Sequence, residues 1–273
     1  MTRLFGVVIL LTSALLLESG GGGRPQVEAR TIPITRVVRI PLAVLGSQEV
    51  SGNNSTVLAA SPGAAEELPE GPNGFDIFEE ENILISDPLH NRVVIFDRQG
   101  KFRQAWNLGF AADSIRVLPD GNALVREANT GQYHAFNREG KPVSGETPPS
   151  LESTPAQKLT ATSGLVSNPK GSPISVQLNQ PGMSLVSLES VGVDNTGNIY
   201  IAIESSSGDS ADGINVNKTV RKYAANGNLL GETTKFPLDY YIPPVDEIRV
   251  RKGRIYQLMT TSTEVQINIW DTN

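Results

Sequence analysis

The sequence contains no cysteine and only two histidines, His90 and His134. The first absence excludes disulfides, thiolate nucleophiles and metal centres built on cysteine. It also excludes a lipid-modified cysteine behind a leader. Excess positive charge is missing too. The chain carries 23 Lys and Arg against 29 Asp and Glu, a net charge of −6. That balance argues against nucleic acid as a partner, because phosphate binding draws on clustered basic residues. A modest negative charge serves solubility. No Gly-x-Ser-x-Gly elbow is present, so the usual signature of a serine hydrolase is lacking. Beyond residue 17, no apolar run approaches the roughly 20 residues that a membrane-spanning helix needs.

What is present is ordinary for a folded protein: 273 residues, 38% apolar and 19% charged. That length suffices for a substantial core and argues against wholesale disorder. Arg3 precedes an apolar run over residues 4–17, broken by Gly6, Thr12 and Ser13. A basic start and a short apolar segment are the marks of a secretory signal peptide. Cleavage is expected after Ala29, with Val27 and Ala29 as the small residues, or near Gly21. An uncleaved N-terminal anchor is the alternative. We therefore read residues 1–29 as signal peptide and Gly-rich spacer, and residues 31–273 as the folded domain.

The domain is organised around residues 72–106, which hold four short β-prone runs divided by turn residues. The next segment repeats it. Asn82 and Asn122, Phe96 and Phe136, and Gly100 and Gly140 are each 40 residues apart. Alternating strand residues at a period near 40 point to four-stranded propeller blades. Looser copies follow over residues 190–232 and 246–270. Residues 142–185, punctuated by Pro148, Pro149, Pro155, Pro169, Pro173 and Pro181, are a degenerate blade or an insertion. The expected architecture is an all-β propeller of five or six blades. The strand over residues 36–45, interrupted by Pro41, is expected to pair beside residues 265–270 and close the ring, removing exposed sheet edges.

Asp87, Asn91, Arg92, Val94, Phe96, Asp97, Gly100 and Phe102 together resemble an NHL repeat. The resemblance covers residues 72–145 and, more loosely, 186–270. Asn137 stands where Asp97 stands, and no later copy has Asn-Arg leading into its third strand. The resemblance implies a six-bladed propeller or a near relative, a scaffold used mostly for binding and sometimes for catalysis. It also implies that Asp87, Asn91, Arg92 and Asp97 hold the blade turns.

Few residues suggest chemistry. The histidines are 44 residues apart against a period of 40, so a shared zinc site is not expected. Asp209, Asp212 and Asn215 sit in an oxygen-rich stretch, residues 204–217, which reads as a solvated loop or as a calcium site. Tyr240 and Tyr241, beside Pro243 and Pro244, read as a packed loop or a ligand surface. Trp106 and Trp270 read as packing residues. Asp87, Asp97 and Asp194 could serve an acidic site, and each equally fits a turn.

The function expected from this inventory is an exported, non-catalytic propeller that binds a protein, peptide or glycan through loops on one face. It needs no cofactor, calcium being the alternative, and no nucleic acid. It has no membrane span once the signal is removed, and it resides in the periplasm or outside the cell. The alternatives are an extracytoplasmic hydrolase or lyase with an acidic, calcium-dependent site, and a structural envelope component. Fractionation of the native host with N-terminal sequencing tests export. A chain beginning near residue 22 or 30 outside the cytoplasm is expected, and full-length protein in the cytoplasm would defeat the claim.

Overall fold

A computed structural model of the chain describes residues 29–44, 56–63, 67–78, 80–143, 156–169, 171–208 and 213–273. The expected signal segment lies outside the described residues, apart from Ala29. Within them the protein is all-β, with one short 3-10 turn at Pro88–His90. No helix among the described residues is long and apolar enough to cross a membrane.

Three strands precede the repeats: β1 (Arg30–Ile32), β2 (Arg36–Val44) and β3 (Leu58–Ala60). Sheet I is the meander β4 (Phe75–Ile77), β5 (Ile83–Asp87), β6 (Arg92–Phe96) and β7 (Phe102–Asn107). Sheet II is β8 (Ala112–Val117), β9 (Ala123–Glu127) and β10 (Tyr133–Phe136). Sheet III is β11 (Ala156–Lys158), β12 (Ser163–Val166) and β13 (Ile174–Gln177). It falls inside the proline-rich segment, which therefore carries a sheet of its own. Sheet IV is β14 (Ser184–Val193), β15 (Ile199–Ser207), β16 (Asn215–Tyr223) and β17 (Leu229–Thr233), with β1 parallel to β17. Sheet V is β18 (Ile248–Arg251), β19 (Arg254–Thr260) and β20 (Glu264–Asp271), extended by β2 and β3. Only sheet I has the expected four strands; the others have three or five among the described residues.

The turns explain the 40-residue landmarks. Asp97 Oδ1 accepts the backbone N–H of Gln99 and of Lys101, both at 2.9 Å, and Gly100 N–H donates to the Asp97 carbonyl. Asn137 Oδ1 does the same for Glu139 at 3.1 Å and Lys141 at 2.9 Å. The substitution of Asn for Asp therefore keeps the turn, because only a side-chain acceptor is needed. Gly140 is required twice over. Its φ is +75°, and a Cβ there would lie 2.1 Å from the Trp106 ring.

The cores show why the strands alternate. Ile83 and Ile85 of β5 face a cluster shared with sheet V, and Leu84 between them faces sheet II. β6 divides likewise, Val94 and Phe96 one way and Val93 and Ile95 the other. A sheet buried on both faces reads as a continuous apolar run, as β5 and β6 do. A third cluster joins sheets IV and V around Trp270 and Tyr200, and a fourth joins III and IV around Val176 and Ile201. The sheets thus stack like blades in the order III, IV, V, I, II. Their first strands follow the same path, β14 on β18, β18 on β4 and β4 on β8.

The N-terminal strand pairs where expected. Arg36 to Pro41 of β2 lie antiparallel to Ile269 to Glu264 of β20. Pro41 is the last residue of β2 in register with β20, and the parallel pairing with β3 begins at Leu42. A residue without an N–H is tolerated at such an edge. Among the described residues no comparable apolar cluster joins sheets II and III. The strand pairing expected of a closed ring is present, while sheets II and III end a blade-like stack.

Polar side chains hold the inner edge of β8. Asp76, fully buried on β4, accepts the N–H of Val117 at 2.7 Å. Asp246 accepts the N–H of Ile115 at 2.9 Å. Arg249 and Arg251 of β18 donate to the carbonyls of Ile115 and Val117, at 3.1 and 3.0 Å. Arg251 also grips Asp76, and Arg249 grips Asp246. Asp76→Ala strips the partner from a partly buried guanidinium and leaves the Val117 N–H unsatisfied. We expect it to cost about 3–5 kcal/mol in urea unfolding. A loss under about 1 kcal/mol would show that this clamp does not support the fold.

Candidate functional site

The residues singled out by the NHL resemblance occupy turns. Asp87 is fully buried at the end of β5. Its Oδ2 accepts from Arg92 Nε at 2.8 Å and lies 2.9 Å from His90 Nδ1. Arg92 Nη2 donates to the Val57 carbonyl at 2.9 Å, tying the turn to the segment before β3. Asn91 adopts the left-handed conformation, φ +50°, that ends the 3-10 turn. Asp97 heads the β6–β7 turn already described. His134 lies 3.3 Å from Glu127, so the two histidines serve separate carboxylates on separate sheets.

Asp194 also serves a turn, between β14 and β15. It accepts from Thr196 N–H at 3.0 Å, Asn198 N–H at 2.9 Å and the Tyr200 hydroxyl at 3.0 Å. Burial opposes its charge, and the hydrogen bonds from Thr196, Asn198 and Tyr200 outweigh it, holding the carboxyl at about 2.

The stretch over residues 204–217 is in part strand rather than loop. β15 continues to Ser207 and β16 starts at Asn215, so residues 204–207 and 215–217 are paired, with Ser207 opposite Asn215. The β-branched and small polar residues there suffice for strand once a partner strand is in register. Asn215 is an exposed strand residue. Asp209 and Asp212 lie outside the described residues. Among the described residues no three His, Asp or Glu side chains are grouped to hold a metal.

The tyrosines separate. Tyr241 packs against the core shared by sheets I and V, and its N–H donates to the Thr260 carbonyl at 2.7 Å. The Tyr240 hydroxyl donates to Glu247 Oε1 at 2.5 Å and accepts from Gln257 Nε2 at 2.8 Å. Burial and the Glu247 charge both push the Tyr240 phenol above its ordinary range. Tyr240 therefore stands behind a carboxylate rather than on an open surface.

That carboxylate lines a cleft of ≈ 320 Å³ between sheets II, IV and V. β8 supplies Ser114 and Arg116 at alternate positions, which share one side of the strand. β14 supplies Ser187, Glu189 and Val191 in the same way. Arg126, Tyr133, Glu204 and Lys218 complete the side walls, and the segment from Pro244 to Arg249 forms the third. Four cations (Arg116, Arg126, Lys218 and Arg249) face four carboxylates (Glu189, Glu204, Asp246 and Glu247).

Most of these charges are internally matched. Arg126 grips Asp113 through Nε at 2.8 Å and Nη2 at 3.0 Å. Lys218 lies 2.5 Å from Glu247 and 3.5 Å from Glu204. Burial works against the Lys218 charge, and the Glu247 and Glu204 carboxylates overcome it, holding the ammonium above its ordinary range. Arg249 grips Asp246. Arg116 and Glu189 make no ion pair or side-chain hydrogen bond among the described residues. The arrangement can bind and orient a polar group; it presents no nucleophile paired with a base.

Of the lining residues, sequence reading touches only Glu204, in the oxygen-rich stretch, and Pro244, beside the tyrosines. The signal of the others is charge at alternate positions of strands that are otherwise apolar, as in Ser114-Ile115-Arg116-Val117 and Arg249-Val250-Arg251. It can be read only once those strands are known to be the inner ones.

No protein-family model and no curated protein matches the chain. Among solved structures it is similar to a member of the DUF4221 family from Bacteroides vulgatus, at 11% identity over 87% of this chain and 96% of that one, TM-score 0.32. It is similar to BamB from Moraxella catarrhalis, at 11% identity over 74% and 83%, TM-score 0.32. It is similar to a gluconolactonase from Xanthomonas campestris, at 11% identity over 72% and 86%, TM-score 0.32. At this distance none of them assigns an activity or a ligand.

The Asp194 turn gives an acid-side test. Its folded pKa of about 2 lies below the ordinary 3.8, so its stabilisation is complete above about pH 4 and is lost as pH falls toward 2. Asp194→Asn keeps an acceptor but no charge. Urea unfolding at pH 5 and at pH 2.5 is expected to show a smaller acid loss for the variant than for the parent protein. Equal losses would remove Asp194 as a contributor.

Proposed function

We propose that the protein is an exported, non-catalytic, propeller-type binding protein that takes a polar, charged ligand in the cleft between sheets II, IV and V. The observation that carries this reading is the cleft wall itself. Three sheets converge on a concave site whose charges are held rigidly by pairs, with one cation and the carboxylates of Glu189 and Glu204 left over. Preformed concave sites with a few oriented polar groups are the usual form of a ligand site. Pre-pairing also lowers the cost of ordering long side chains on binding.

The reading moves recognition from loops on one face, as expected from sequence, to the inner strands. Tyr240 contributes indirectly by fixing Glu247. The ligand classes expected from sequence, a protein, a peptide or a glycan, all carry groups that the cleft walls can meet.

Ser187 is exposed on β14 and lines the cleft, so Ser187→Trp fills the site without cutting into a core. Libraries of short peptides and of oligosaccharides, screened by native mass spectrometry against the full-length protein, are expected to yield binders. Ser187→Trp is expected to weaken them at least about tenfold, a change worth about 1.4 kcal/mol. Binders that ignore the substitution would place recognition elsewhere and overturn the reading.

A further inference from the structure

Arg116 is the one cation of the cleft that makes no direct ion pair among the described residues; the Asp246 and Asp76 charges favour its guanidinium from beyond ion-pair distance. Its Nε is buried and has no hydrogen-bond partner. Burial, and secondarily the neighbouring Arg249 guanidinium, hold its pKa below the ordinary arginine value. A buried donor without an acceptor is costly, and the half-buried Arg116 side chain leaves room at the cleft for a ligand oxygen to supply one. Its fork of five donors matches a planar two-oxygen acceptor.

The surroundings choose among anions. Four carboxylates balance the four cations, so the cleft has no excess of positive charge. A dianionic phosphate, or a glycan bearing several acid groups, would meet Glu189, Glu204 and Glu247 beyond its first contact. A single carboxylate meets Arg116 and leaves the rest of the ligand facing acceptors. A peptide end answers that demand, because amide N–H donors follow its one carboxylate. Tyr133 is the single aromatic among the described lining residues, so no pair of rings brackets a sugar.

We propose that Arg116 anchors the terminal carboxylate of a peptide in this cleft, a reading that rests on the cleft being the ligand site. The backbone on both sides of Arg116 is clamped. Ile115 and Val117 are held by Asp246, Asp76, Arg249 and Arg251, so the guanidinium is presented from a fixed strand. Glu189, exposed and unpaired among the described residues, lines the opposite wall from β14 and can accept a peptide N–H.

The test uses the full-length protein and random acetylated tetrapeptides built without Asp or Glu, supplied as free C-terminal acids and as amides. Acids are expected to bind at least about tenfold tighter than amides, and the 15N signal of Arg116 Nε is expected to shift with acids alone. Arg116→Gln should abolish the preference, and Arg116→Lys should keep only part of it, since the charge survives and the fork does not. Because no side-chain hydrogen bond or ion pair of Arg116 is lost, Arg116→Gln should stay folded and melt close to the parent temperature. A folded Arg116→Gln that still prefers acids would overturn the proposal. So would equal binding of acids and amides, or a preference for oligoglucuronides over peptides. In those cases the cleft reading survives if Ser187→Trp still blocks binding, and falls with the proposal if it does not.

Discussion

The fold depends on how one strand edge is satisfied. β8 is paired on one side by β9 and, among the described residues, has no strand on the other. An unpaired edge at the centre of a protein leaves N–H and C=O groups that water cannot reach, which is costly. Here Asp76 and Asp246 accept the N–H groups, and Arg249 and Arg251 donate to the carbonyls. Two carboxylates and two guanidiniums stand where a fourth strand of sheet II would pair. Buried ion pairs add little net stability over an apolar contact, but losing one partner is expensive. The value of the clamp is therefore in register. The two carboxylates meet residues two apart, Ile115 and Val117. A slip of one residue would turn each carboxylate toward a carbonyl oxygen.

The same clamp explains where apolar packing stops. Sheets V, I and II are joined by two continuous clusters, and the polar clamp lies where their first strands meet. Beyond β8 the next wall is β14, and between them stands the charged cleft rather than a core. Apolar burial, worth roughly 25 cal/mol per Å², fixes which sheets are neighbours. Charge pairing fixes the shape of the space they leave.

Much of this was legible in the sequence, and the parts that were not have physical causes. The 40-residue landmarks are turn chemistry, an Asp or Asn acceptor three residues before a glycine, and turn chemistry is local. So the meanders of sheets I and II, and the pairing of β2 beside β20, followed from sequence. Sheet III was legible only as a degenerate blade or an insertion, because its strands are short, prolines interrupt the segment, and its apolar partner is a strand of another sheet, β14. The hairpin of β15 and β16 hid for a similar reason: Ser205, Ser206 and Asn217 carry no periodic signal without the partner strand. The cleft was invisible because its walls come from residues 114–133, 187–218 and 244–249. Such a site exists only in the folded chain.

The cleft also shows how charge neutrality can be selective. Each internal pair removes one cation and one carboxylate from contention, since a ligand would have to displace a partner already in contact. Arg126 is spoken for by Asp113, Lys218 by Glu247, and Arg249 by Asp246. What the pairs leave over is a single guanidinium, Arg116, and the carboxylates of Glu189 and of Glu204, which only shares Lys218 with Glu247. A ligand with many charges of one sign gains one contact and meets repulsion elsewhere. A ligand with one charge and several neutral donors gains at every wall. Specificity here comes from what the pairs withhold, and that follows from the same inner-strand residues that hold the sheets in register.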